Sequence, residues 1–540
     1  MPHKGQLAVL AVSRFVDFFQ MASLQTYMVH QLKSFDPTLP DSAISHQAGV
    51  LQGSFTAAQI VTAVVWGRVA DMPWSGRKRV LLIGLVGTAF SCLGVGFAHS
   101  FLSAAVWRML GGAINGTIGS ARTMVAETVD KRWHSRAFLL LPLAFNVANI
   151  LGPILSGLLV EPVVSYPKLF GENSVFGGAD GVGWMETYPY ALPNLLCAVL
   201  LIAEAALVYF FSRETLASIR NASSPPPGPI DTFKKWISTF QNKGRGYALV
   251  DNSQQMGLLS MREGEAMEMS SPVTPSYHME KPVQSKKQQV LPFNRIWTAN
   301  VLWVLLSIAI FDFHMGAFSS LWIVFLSTDR PAVEATQKLA KRGANPFLFS
   351  GGLAFEPAAI GFALAVLGIV GLFLQLSIYP WANGRFGLMR CFRYSLFLFP
   401  LAYFLAPYLS LLPSPSAAPS PASGFWVWLG ISMILTLQVS ARTFALPASI
   451  ILLNNSSPHP SVLATIHGIG QSVSSTFRTV GPIAAGYWYG VGLEKGMVGM
   501  AWWVVAAVSA IGCVASFWVR NGTGHEILLP GEEDPESTQR

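Results

Sequence analysis

The chain has 540 residues, of which 51% are apolar and only 12% charged, and its formal net charge is +8. Soluble domains carry about 25% charged residues, so this deficit excludes a large soluble core and implies an integral, multi-pass protein with the lipid bilayer as partner. In a soluble chain the basic surplus would point to nucleic acid; here the bases fall in short loops and read as a topology signal, with no nucleic-acid partner expected.

A helix needs about 20 apolar residues to cross the hydrocarbon core, and twelve such stretches follow in order. In the first part they are predicted at 7–32, 47–70, 79–98, 101–126, 137–160 and 190–212. After a long polar break come 297–327, 359–381, 392–411, 424–447, 463–488 and 497–519. The opening MPHKGQLAVLAVSRF shows no small-residue cleavage site after its apolar run and reads as a first spanning helix, not a signal peptide. The expected division is a six-helix bundle over 1–212, a polar, disordered cytosolic linker over 213–295, a second bundle over 296–520 and an acidic cytosolic tail over 521–540.

Helix 1 carries Arg14 and Asp17, three apart and so on one face. Helix 2 ends in Gly67-Arg68-Val69-Ala70-Asp71, and a very short loop leads to Gly76-Arg77-Lys78-Arg79. Gly67 permits close helix approach. Asp71 can pair with Arg77 or face a helix N-terminus, a contact suited to an inner gate together with Gly76 and Lys78. Helix 4 bears a polar and small-residue stripe of Arg108, Gly112, Asn115, Gly119 and Arg122, with Glu127 beyond it. Helix 5 contains Gly152-Pro153 and Gly157, where the proline favours a kink. Glu204 in helix 6 is isolated.

In the second part, helix 7 carries Asp312 and His314, and helix 10 ends on Ala441-Arg442-Thr443, an echo of Ala121-Arg122-Thr123 in helix 4. Helix 11 carries His467, Gln471, Ser474 and Arg478, then Gly481-Pro482 with Gly486, an echo of helix 5. Both echoes pair helix n with helix n+6, the sign of two bundles related by an axis along the membrane normal. Ionisable groups within a membrane are functional candidates by default. Arg122, Glu127 and Arg442 are read as near the cytosolic ends, as inner-gate groups.

Loops with Arg77, Lys78, Arg79, Lys131, Arg132, Arg136, Arg385, Arg390 and Arg393 share one side, hence cytosolic, as are both termini. The 7–8 loop, with Arg330, Lys338, Lys341 and Arg342, is the exception. The Asn-X-Ser/Thr triplets fall in buried or cytosolic places, so glycosylation is not expected. Cys92, Cys197, Cys391 and Cys513 all lie in apolar runs and make neither a disulfide framework nor a metal-ligand spacing. No cofactor or metal is expected, and with no nucleophile–base set or nucleotide loop an enzyme is not expected either.

Gly67 to Asp71 with the bases after it resembles the signature loop of the major facilitator superfamily, and Gly152-Pro153 with Gly157 resembles its proton-antiporter motif. Ser13-Arg14-Phe15-Val16-Asp17, Arg108 through Gly116, Arg122 through Glu127, Arg136-Ala137-Phe138 and Glu214-Thr215-Leu216 are similar to the zinc-induced-facilitator-like branch and its fungal multidrug-type relatives. The chain departs from that pattern in three places. Four residues, Met72 to Ser75, separate Asp71 from Gly76 where two are usual; the cysteine and histidine clusters of the plant proteins are not evident; and the second-half loop has Asn383, Gly384, Arg385 and Gly387 in place of the acid.

The resemblance implies an all-helical fold of two six-helix bundles, with helices 1, 4, 7 and 10 lining a central cavity. It also implies a monomeric secondary transporter of a small solute working by alternating access and linked to protons, for export or compartment loading. Arg14, Asp17, Arg108, Asn115, Asp312, His314, His467, Gln471 and Arg478 are the transport and coupling candidates. A non-transporting receptor or scaffold on the same fold, signalling through 213–295, and an uncoupled facilitator stay open, as do plasma membrane and vacuolar membrane.

Overall fold

The computed structural model describes residues 3–72, 74–129, 140–177, 181–216, 292–331, 347–459 and 462–527. Among them, nine helices are long and apolar enough to cross a membrane. They are α1 (Lys4–Phe35), α2 (Asp41–Asp71), α3 (Gly76–Gly96), α5 (Leu140–Leu159), α6 (Ala191–Phe211), α7 (Ala299–Ser327), α8 (Pro357–Phe386), α9 (Leu388–Leu411) and α10 (Phe425–Asn455). Three more segments complete twelve: α4, broken into α4a (Phe101–Ile114) and α4b (Thr117–Thr128), the more polar α11 (Leu463–Glu494), and α12 (Met500–Ala515). The predicted linker lies outside the described residues over 217–291, and so do Lys131, Arg132, Arg136, Lys338, Lys341 and Arg342.

Two departures from the expected spans bear on the site. Helix 4 is not continuous: Asn115 and Gly116 leave the helix in mid-span, because the Asn115 side chain is turned onto a carboxylate of α1 while Gly116 is pinched between Trp66 and Val80. Helix 10 does not end near residue 447. It continues through Pro447 to Asn455, which places Arg442 midway along α10 rather than near its end.

The repeat legible in helices 5 and 11 governs how the halves meet. Gly152 of α5 lies against the Phe19 carbonyl of α1, and Gly481 of α11 against the Phe313 carbonyl of α7, each within its own half. One turn on, Gly157 meets the Pro357 carbonyl of α8 and Gly486 meets the Ser45 carbonyl of α2, each across the halves. Gly361 of α8 and Gly49 of α2 return the contact on the carbonyls of Pro153 and Pro482, where an added Cβ would sit 2.4 Å from either oxygen. Small residues that admit a neighbouring backbone are the usual means of close helix packing in lipid. The α2–α11 and α5–α8 seams are therefore the tight joints of the molecule.

These joints lie away from the α2–α3 turn. On α2, Ile44, Ala48, Leu51 and Phe55 are buried, whereas Val61, Val64 and Val65 are exposed. One hydrophobic core joins both halves at the far side, from Met28 and Leu51 to Phe318 and Tyr489. A separate core near the turn, from Leu10 to Val208, contains residues of the first half alone. The halves thus meet on the far side and part towards the turn.

Candidate functional site

The deepest polar cluster is built on α1. Arg14 donates to Asp17 at 2.5 Å, and the two are 3% and 2% exposed. The second carboxylate oxygen accepts from Asn115 Nδ2 at 2.9 Å, and Thr117 Oγ1 lies 2.9 Å from the first. Asn115 also donates to Thr88 at 3.3 Å. Hydrogen bonds to its oxygens offset the cost of burying a carboxylate in hydrocarbon, and the break in α4 is what brings Asn115 and the first residue of α4b to Asp17.

In the second half, Asp312 of α7 has looser company. Arg478 Nε of α11 lies 3.9 Å from it, and Ser474 stands beside the same carboxylate. Arg478 is 43% exposed, and Arg122 on α4b is also exposed while within electrostatic reach of both Arg14 and Arg478. A ladder of cations and rings crosses between the halves at this depth. Arg14 lies 4.4 Å from the Phe18 ring, Phe18 meets Phe145 edge-on at 4.9 Å, and Arg442 lies 4.8 Å from the other side of the ladder at Phe145. Phe18, Phe145 and Thr117 were not singled out in the sequence. Thr117 lies two residues from Asn115, but an apolar ring carries no signal among so many.

The α2–α3 turn is braced within the first half. Arg77 forms an ion pair with Glu127 at the end of α4b. Gly76 adopts φ +72°, which an L side chain rarely accepts, and Gly387 repeats this at φ +77° before α9. Glu214, just past α6, accepts the backbone N–H groups of Arg77 at 3.2 Å and Lys78 at 2.9 Å, and so caps the start of α3. Lys78 Nζ reaches the Tyr209 carbonyl at 2.8 Å. Arg393 of α9 likewise donates to the carbonyls of Ser516 and Val519 past α12. The Asp71 side chain lies outside the described residues. Among the described residues no atom lies within 4 Å of where a Cβ on Gly67 would stand, so the expected close approach is not seen there.

The remaining candidates scatter. Arg108 of α4a is buried, 4.8 Å from the Phe55 ring, and among the described residues its Nε has no hydrogen-bond partner. His314 faces away from the cavity, its Nδ1 3.0 Å from the Tyr403 hydroxyl and its ring against Phe399. His467 and Gln471 lie on the turn-side part of α11, bonded to Asn454 at 3.3 Å and Ser475 at 3.3 Å.

On the far side, a group the sequence did not signal ties the halves together. Lys33 Nζ at the end of α1 lies 2.9 Å from Asp41 of α2 and 3.1 Å from Asp329 past α7. These are ordinary loop residues in sequence, and only the docking of the halves unites them.

Residues 7–331 match the Major Facilitator Superfamily. The chain belongs to this superfamily. It is similar to the major facilitator superfamily multidrug transporter mfsB of Aspergillus fumigatus, 31% identical over 95% of this chain and 83% of the relative. It is also similar to Protein ZINC INDUCED FACILITATOR 1 of Arabidopsis thaliana, at 24% identity over 86% of this chain and 80% of that one. The branch suggested by the residues of helices 1 to 4 is thereby borne out. Among solved structures, a D-xylose-proton symporter superposes with TM-score 0.58 at 12% identity, over 97% of this chain and 99% of the other. The inward-open xylose transporter XylE of E. coli superposes with TM-score 0.56 at 12% identity, over 96% of each chain. At such identities they bear on the fold alone. This facilitator is a multi-pass membrane protein that transports a solute.

Proposed function

We propose that this facilitator is a secondary active transporter that moves a small solute by alternating access, coupled to protons, for export or compartment loading. The observation that carries the coupling is Asp312: a buried carboxylate with one guanidinium at 3.9 Å and the Ser474 hydroxyl beside it, rather than a closed shell of donors. A group so loosely paired can exchange a proton for its contact with Arg478, and that exchange couples α7 to α11. Asp17 is the second carboxylate of the system, with Arg14 as its buried partner. The description of the Aspergillus relative as a multidrug transporter supports a small organic solute as the cargo.

The turn side is assigned to the cytosol, with both termini, in a plasma or vacuolar membrane. Arg77, Lys78, Arg79, Arg385, Arg390 and Arg393 support this. The far-side exception Arg330 donates to the carbonyls of Ser416 and Ser420 at 3.0 Å each, so its place has a structural reason. The parted turn side then corresponds to an inward-open state.

An untargeted metabolite comparison of cells with and without the chain supplies the solute, and sealed vesicles then test coupling. Accumulation driven by an imposed pH gradient is expected to collapse with a protonophore and in Asp312→Asn, while solute exchange at equal pH persists. Asp17→Asn is expected to reduce both. Undiminished gradient-driven accumulation in both variants overturns the coupling assignment, and indifference to the protonophore makes the protein an uncoupled facilitator.

A further inference from the structure

From the α8–α9 turn we infer a docking surface for an anionic phospholipid of the leaflet on the turn side, its phosphate held by Arg385 and Arg390. The surface is independent of the proton coupling proposed above. Between Glu356 and Glu494 the sequence has no aspartate or glutamate. Glu356 precedes α8 and Glu494 ends α11, so both belong to the far side. The turn-side bases of α8 and α9 therefore have no acid within their own helices.

In the first half the corresponding bases are answered internally. Arg77 pairs with Glu127, Lys78 reaches the Tyr209 carbonyl, and Arg79 reaches the Trp74 carbonyl. The Glu214 carboxylate accepts the N–H groups of Arg77 and Lys78 at the start of α3. Gly76 and Gly387 mark the same step of the repeat, both at positive φ. After Gly387, however, the start of α9 has no side-chain cap. Among the described residues Arg390 has no hydrogen bond or ion pair, and Arg385 meets the Trp381 ring at 6.0 Å but no carboxylate. Arg393 is already committed to the carbonyls of Ser516 and Val519.

The two free arginines stand at headgroup level. The Cys391 thiol meets the Ala382 carbonyl at 3.4 Å, which folds the start of α9 back on the end of α8 and keeps both arginines on one turn. Arg390 heads a stripe along α9 that continues through Tyr394, Phe397, Leu401 and Phe404. These four are between 43% and 69% exposed, and in an integral protein such a stripe faces lipid tails. One turn of helix, about 5.4 Å, separates Arg390 from Tyr394. Exposed Tyr394 and Trp381 form the aromatic belt that marks the interface. Guanidinium forks match phosphate oxygens, and a phospholipid adds acyl chains that lie along the apolar stripe, which a free phosphate ion lacks. With the turn side in the cytosol, as proposed, the adjoining leaflet is the anionic one.

Native mass spectrometry of the full-length protein in detergent, with added phosphatidylserine or phosphatidylcholine, tests this. Phosphatidylserine is expected to be retained about fivefold or more over phosphatidylcholine, and Arg385→Gln and Arg390→Gln each to weaken it about fivefold, as loss of one surface arginine does. Arg79→Gln, at the matching step of the first half, is expected to weaken it far less. Equal retention of the two lipids, an equal loss in Arg79→Gln, or full displacement of the lipid by inorganic phosphate overturns the inference. A preference that emerges only when residues 528–540 are removed assigns the surface to the chain's own acidic tail, with Glu532, Glu533, Asp534 and Glu536, and also overturns it. The comparison of lipids on the unaltered protein decides even if a variant fails to fold.

Discussion

Asp17 and Asp312 are both aspartates in mid-membrane, yet their surroundings assign them different consequences. Asp17 accepts from Arg14 and Asn115, with Thr117 at hand. Replacing it by alanine leaves Arg14 buried without its counter-charge, which costs about 3–5 kcal/mol for a buried pair. Asp17→Ala is therefore expected to lower the unfolding temperature sharply in detergent, and Asp312→Asn to change it little while removing gradient-driven accumulation. The Arg14–Asp17 pairing was legible in the sequence, because a spacing of three puts two side chains on one helix face. That Asn115 and Thr117 close the shell was not, since they stand 98 and 100 residues further along. Their stripe on helix 4 named the right face of the right helix, but not its partner.

The helical elements follow from hydropathy, and their irregularities follow from contacts. The break at Asn115–Gly116 has no proline to announce it, whereas Pro447 and Pro482 lie inside helices that run on past them. Neighbouring helices can make good the hydrogen bond that a proline removes, so proline was the weaker guide to helix ends here. The glycines of the seams are more demanding. A Cβ on Gly49 would stand 2.4 Å from the Pro482 carbonyl oxygen and 3.3 Å from the Gly486 Cα, both backbone atoms that cannot rotate aside. Gly49→Ala is expected to push α2 from α11 and depopulate the state closed on the far side. Spin-label distances between the far ends of α2 and α11 would lengthen; an unchanged distance distribution would show that the seam yields elsewhere.

For the molecule as a whole, closure of one side rests on two glycine seams, a core shared by both halves, and the Lys33–Asp41–Asp329 group. The lysine is partly exposed, so its pairs contribute modestly, about 1 kcal/mol or less each. Lys33→Ala is expected to shift the balance of the two open states about fivefold, the equivalent of about 1 kcal/mol, and high salt to imitate the variant. The same distance measurement reads both. Closure on the far side also accords with a turn that, among the described residues, is seen braced by Glu127 and Glu214 of its own half.

The helices expected to border a cavity came from the resemblance to the superfamily, whereas the sequence by itself determined a multi-pass membrane protein, the number and order of its spans, and the repeat. Those depend on local hydropathy and on spacings within one helix, which a single chain displays directly. Tertiary structure decided on which side the halves part and which partners Asp17 and Asp312 have. It moved Arg442 from the expected gate to the middle of α10 and turned Gly67 to open space. These outcomes depend on how closely backbones from distant parts of the chain can approach, and that is set only when the halves are docked.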